Sequence, residues 1–75
     1  MTRVAQTVKR IPATENGHGT VYTARNGNVY RITKNTGKPL FYLWKVTDNG
    51  YEKLAQMESP YSLYEVIDQL EMANN

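Results

Sequence analysis

The sequence predicts an α+β domain, a three- to four-stranded antiparallel β-meander packed on one C-terminal α-helix. Three observations point to it. Between Thr20 and Met57, runs rich in Val, Ile, Thr, Tyr, Phe and Trp alternate with short clusters of Asn, Gly, Asp, Thr and Pro, which is how hairpins read. After Ser59-Pro60, apolar residues fall at Leu63, Val66, Ile67 and Leu70, the spacing of one helical face. The chain has 75 residues, the size of one small domain that buries about 60% of its unfolded surface and has no core to spare around a deep cavity.

Residues 1–19 read as a basic N-terminal arm carrying Arg3, Lys9 and Arg10. Val4, Val8 and Ile11 are β-branched, which favours a strand, yet their spacing is nearer a helical stripe. Pro12 ends whatever forms, and Pro12 to Gly19 is loop chemistry. The arm is expected to be mobile, with part of it a strand.

Residues 20–75 are the sheet-plus-helix domain. Thr20 to Arg25 is a short strand, and Asn26-Gly27 is a two-residue turn whose centres tolerate the positive φ of a type I′ hairpin. Asn28 to Lys34 is the second strand, Asn35-Thr36-Gly37-Lys38 the next turn, and Pro39 to Val46 the third strand, with Pro39 where a missing donor does least harm. Thr47 to Gly50 turns again, and Tyr51 to Met57 returns as a fourth strand. Ser59 is placed as N-cap with Pro60 at the first helical position, and Ser62 with Glu65 offers a capping box. Glu65, Asp68, Gln69 and Glu71 lie opposite the apolar stripe, and the tail from Met72 is expected to fray.

These turns imply registers. Tyr22 pairs with Arg31, Ala24 with Val29, Val21 with Ile32 and Thr23 with Tyr30; Arg31 then pairs with Tyr42, Val29 with Trp44, Ile32 with Phe41 and Tyr30 with Leu43; Trp44 pairs with Lys53 and Leu43 with Leu54. Alternation sorts them into two faces. One holds Val21, Thr23, Tyr30, Ile32, Phe41, Leu43 and Leu54 and is the expected core beneath the helix. The other holds Tyr22, Ala24, Val29, Arg31, Thr33, Leu40, Tyr42, Trp44, Tyr51 and Lys53. One helix covers one face, so this aromatic and basic face is expected to meet solvent or a partner. The competing reading is a second small core in which Tyr42 and Trp44 lie beneath the N-terminal segment. A one-residue slip would invert the sorting.

The net charge of +2 hides an asymmetry. Residues 1–45 carry eight basic side chains against Glu15 alone, and residues 46–75 carry six acidic ones against Lys53. Such a split suggests a basic surface for a polyanion, or two halves that neutralise each other within the fold. Catalysis is not expected. The chain has no cysteine, hence no disulfide and no thiolate chemistry. His18 is its one histidine and stands in a Gly-flanked loop without an acidic or nucleophilic neighbour, so neither a zinc site nor an acid–base pair is indicated, and no cofactor is expected. Asn16 to Gly19 is too short for a phosphate loop and lacks its strand–loop–helix setting. The N-terminus lacks the apolar core of a signal peptide and no run has membrane-spanning length; a cytoplasmic protein without a membrane partner is expected.

Asn26-Gly27-Asn28-Val29-Tyr30-Arg31, Thr36-Gly37-Lys38-Pro39, Tyr42-Leu43-Trp44-Lys45-Val46 and the helix from Ser62 to Leu70 together resemble the small DNA-binding domain at the N-terminus of tyrosine-recombinase integrases, which is related to a plant DNA-binding domain. The resemblance covers about two-thirds of the chain through short motifs dominated by turns. It implies a three-stranded sheet on a C-terminal helix, laid in the major groove, with Arg31, Tyr42 and Trp44 toward the bases and Lys34, Lys38 and Lys45 nearer the backbone. The strand Tyr51 to Met57 and the acidic helix depart from that pattern, and no recombinase catalytic domain accompanies it. A phage or mobile-element accessory protein would suit such a module.

The leading expectation is therefore a non-enzymatic nucleic-acid-binding protein, with duplex DNA as partner. Arginine can fork onto guanine, lysine neutralises phosphate, and aromatic rings pack on sugars and bases. The candidate residues are Tyr22, Arg31, Tyr42, Trp44 and Lys53 on the sheet face, with Arg25, Lys34, Lys38, Lys9 and Arg10 as flanking phosphate contacts. The alternatives are a small protein-binding module or inhibitor using that face or the acidic helix, since Tyr, Trp and Arg also dominate protein hot spots, and a homodimer closed through the sheet face.

Overall fold

The computed structural model describes residues 7–73. It contains β1 (Thr7–Val8), β2 (Gly19–Thr23), β3 (Val29–Lys34), β4 (Phe41–Thr47), β5 (Gly50–Met57) and α1 (Pro60–Ala73). The strands form one antiparallel sheet in the order β1-β5-β4-β3-β2. The α+β class is as expected; the sheet has a fifth strand because the arm supplies β1 to one edge, pairing Thr7 with Glu52 and Val8 with Tyr51. Arg3 and Val4 lie outside the described residues.

β1 and β2 stand at opposite edges, so the chain between them must cross the whole sheet. It does so over the face opposite α1, as a strap with one 3₁₀ turn at Ala13–Glu15. Ile11 on the strap is buried against Tyr42 and Trp44, with Val8, Leu40 and Tyr51 around them. The strap is anchored at its far end by the Gly17 N–H donating to the Lys34 carbonyl and the Thr36 N–H donating to Thr14. Residues 7–19 thus pack onto the sheet, and β1 is the part of the arm that forms a strand.

The other face carries the larger core. Tyr30, Ile32 and Leu43 from the sheet meet Leu63 and Ile67 from α1, with Ala24 at the margin and Phe41, Leu54, Ala55, Met57, Tyr64, Val66 and Leu70 packed around them. The helical stripe is the expected one, and α1 runs on to Ala73 rather than fraying from Met72.

The registers explain which side chains share a face. Ala24 and Asn28 close the first hairpin: the Ala24 N–H donates to Asn28 and the Gly27 N–H to Ala24. That leaves a three-residue loop, with Gly27 at φ 93° and no positive φ at Asn26, so the turn is a type I turn plus a glycine bulge rather than type I′. The extra residue slips β2 by one: Val21 pairs with Arg31 and Tyr22 with Tyr30. Tyr22 and Ala24 therefore belong to the helix side and Val21 and Thr23 to the strap side, the reverse of the expectation. In β3–β4 the shift is two residues, Arg31 opposite Trp44 and Ile32 opposite Leu43, which leaves every side chain on its expected face. Trp44 does pair with Lys53, but an irregularity between Leu43 and Trp44 sets Leu43 opposite Ala55 instead of Leu54.

Candidate functional site

The aromatic face expected to be open is closed. Trp44 is 1% exposed and Tyr42 4%. Each also has its polar atom engaged: the Trp44 indole N–H donates to the Thr33 hydroxyl at 2.9 Å, and Asn35 Nδ2 donates to the Tyr42 hydroxyl at 2.9 Å. The strap lies over both, so neither ring is available to stack on a base. Lys53 is held between the two rings, its Nζ 4.8 Å from the Tyr42 centroid and 5.2 Å from that of Trp44, with Glu15 at 2.8 Å. Arg31 is half-buried; its Nη2 donates to Asn16 at 3.0 Å and its guanidinium lies 6.0 Å from the Tyr51 ring. These four residues are brought together as expected, but they hold the strap down. A chain this small cannot leave a Trp and two Tyr on one sheet face without burying them somewhere.

The other expected site residues scatter. Lys9 and Arg10 are exposed where the strap leaves β1, Lys38 is exposed in the β3–β4 turn, and Lys34 at the end of β3 leans over the Phe41 ring at 6.0 Å, on the helix side. Arg25 sits in the first hairpin loop and lines a cleft with Asp68 and Glu71. Tyr22 is on the helix side too, its ring edge-on to Tyr64 with centroids 6.1 Å apart.

What remains open is β2. Its five residues are all exposed, Val21 to 65%, and no described strand pairs with its outer side. The bond from Ala24 to Asn28 fixes the ladder: backbone groups alternate in direction along an antiparallel strand, so Thr20 and Tyr22 point theirs at β3, while Gly19, Val21 and Thr23 point theirs outward. The strand has no Lys, no Pro and no charge, the devices by which edge strands are usually blunted. Next to it, between β2 and the C-terminal half of α1, is a cleft of about 410 Å³ lined by Tyr22, Ala24, Arg25, Asn26, Asp68, Glu71 and Met72. Glu71 is committed within the fold: its Oε2 accepts from the Tyr30 hydroxyl at 2.6 Å and from Asn28 Nδ2 at 3.2 Å. Burial, reinforced by this carboxylate, pushes the Tyr30 phenol up to about 12. Val21, Asp68 and Met72 were not among the sequence candidates; the signal for Val21 was a charge-free strand at the start of the meander.

Among the described residues no group of three or more His, Asp or Glu side chains is placed to hold a metal ion, and no helix is long and apolar enough to cross a membrane. No protein-family model matches the chain, and no curated protein or solved structure does.

Proposed function

We propose that this chain is a non-enzymatic protein-binding domain that takes an extended segment of a partner as an added strand on the outer edge of β2. The observation that carries it is the uncharged, fully exposed β2 with the outward backbone groups of Gly19, Val21 and Thr23 free of any described strand. Strand addition draws affinity from main-chain hydrogen bonds and specificity from alternate side chains, and the cleft beside Tyr22 supplies a place for the latter. The test is Val21→Pro, which removes an outward N–H at the kind of edge position that tolerates proline. A partner identified with the wild-type protein should be lost by this variant while the melting temperature stays within a few degrees. Retention of the partner sinks the edge reading.

A second reading has its own observation. α1 contains three carboxylates and no basic residue, whereas the strap on the opposite side exposes Lys9 and Arg10. The two sides of the sheet thus differ in sign, and nucleic acid, as in the resemblance to integrase domains, would meet the strap side through phosphate contacts. Binding of mixed-sequence duplex DNA that falls steeply with salt and weakens in Lys9→Ala/Arg10→Ala supports this reading; binding that ignores both salt and the double variant removes it.

A further inference from the structure

On the reading that β2 docks a strand, we infer that the docked residue facing Tyr22 is a lysine or arginine, held between the Tyr22 ring and the Asp68 carboxylate. The geometry of the edge fixes which residue this is. With an incoming antiparallel strand, Val21 exchanges backbone hydrogen bonds across the edge, so Tyr22 falls in a non-bonded pair, where facing side chains approach most closely. Tyr22 points to the helix side, and so does the residue opposite it. A strand about 4.8 Å beyond β2 therefore delivers that one side chain into the cleft beside α1.

The cleft selects its chemistry. One wall is the Tyr22 ring, the other is α1 with Asp68, Glu71 and Met72. Met72 is 74% exposed and Tyr22 36%, an apolar lining for a long aliphatic stem. Asp68 forms no ion pair among the described residues, where the ion pair found is Lys53 with Glu15. Glu71 is occupied by Tyr30 and Asn28. Arg25 is the cleft's one cation, which leaves two carboxylates to one guanidinium. An ammonium or guanidinium here gains a carboxylate and an aromatic ring together. A neutral aliphatic side chain gains only the apolar contact with Tyr22 and Met72, and an acidic one meets Asp68 as a like charge.

The experiment is a titration of the ¹⁵N-labelled chain with capped seven-residue peptides of alternating threonine and valine, carrying lysine, norleucine or glutamate at the centre. It is run at concentrations where the free peptides are monomeric. The lysine peptide should shift the Val21 and Thr23 amides and bind about tenfold tighter than the norleucine one, with the glutamate peptide weakest. In Asp68→Asn, an exposed position, the lysine preference should shrink to about twofold or less. Equal binding of lysine and norleucine peptides with shifts at Val21 and Thr23 overturns the cation site and leaves edge docking intact. A lysine preference unaltered in Asp68→Asn also overturns it. No shift along β2 with any peptide at millimolar concentration removes the docking edge itself.

Discussion

Lys53 faces Trp44 across the β4–β5 ladder and places its ammonium 2.8 Å from Glu15 on the strap. Glu15 Oε2 is shut off from water and has no hydrogen-bond partner; the approach of Lys53 is ionic contact rather than a directed bond. The pair looks like the latch of the strap, but magnitudes say otherwise. The Lys53 side chain is 35% exposed, and such a pair contributes about 1 kcal/mol or less, with a comparable amount from the two rings. Burying Ile11 contributes roughly 1.5–3 kcal/mol.

Ile11→Ala should accordingly cost about 2–4 kcal/mol in urea unfolding, and Glu15→Gln about 1 kcal/mol or less. The measurement is a pair of denaturation curves read by Trp44 fluorescence. A larger loss for Glu15→Gln than for Ile11→Ala would make the ion pair, not the apolar contact, the anchor of the strap.

The hairpins, the helix and its buried stripe were legible because each rests on local chemistry: turn residues, β-branched runs, and apolar spacing at Leu63, Val66, Ile67 and Leu70. The side of β2 was not. Val21 and Thr23 make as good an inward set as Tyr22 and Ala24, so the pattern could not break the tie, and one extra loop residue at Gly27 decided it. β3 and β4 survived a register error because a shift of two preserves the face. The strap was legible only as the competing reading, a second small core beneath the N-terminal segment, and for a different reason. Its single buried side chain, Ile11, sits between Arg10 and Pro12, and an extended crossing has no period to read. What favours that competing reading is volume: a face holding Trp44, Tyr42 and Tyr51 needs a cover in so short a chain.

Trp44 reports folding, not binding. With its indole buried and donating to Thr33, its emission should be blue-shifted and unchanged by any ligand that docks on β2. Thr33→Val keeps the shape of that buried side chain and removes the acceptor. It should cost about 1–3 kcal/mol, the penalty of an unmatched buried donor, seen as a lower urea midpoint at unchanged slope. A cost near zero would mean that the indole finds another acceptor.

Gly50 opens β5 at φ 136°, and a Cβ there would collide with the Val8 carbonyl and come within 2.9 Å of the Lys9 Cα. The strap's departure from β1 thus runs directly over a residue without a side chain. Gly50→Ala adds both strain and a backbone clash, and the expected result is loss of about 2 kcal/mol or more together with faster amide exchange at Val8. Gly27→Ala meets no neighbouring atoms and costs only its positive φ, about 1 kcal/mol. Equal losses at the two positions would remove the crowding at Gly50.

Tyr30 should make the protein sensitive to alkali in a defined window. Its phenol is buried and donates to Glu71, and both circumstances favour the neutral form, so it ionises near pH 12 when folded and near 10 when unfolded. A folded-state value above the unfolded one gives stability that is whole below pH 10 and lost as pH rises toward 12, about 2–3 kcal/mol in all. Tyr30→Phe leaves Glu71 with Asn28 alone and should cost roughly 1.5–3 kcal/mol at neutral pH. Above pH 10 the variant and the wild type should converge, because the variant has no phenol to ionise. Lysine deprotonation affects both proteins alike in that range, so the difference between their melting temperatures, followed from pH 8 to 11.5, isolates Tyr30. A difference that stays constant across that range would show that Tyr30 ionises as freely in the folded chain as in the unfolded one.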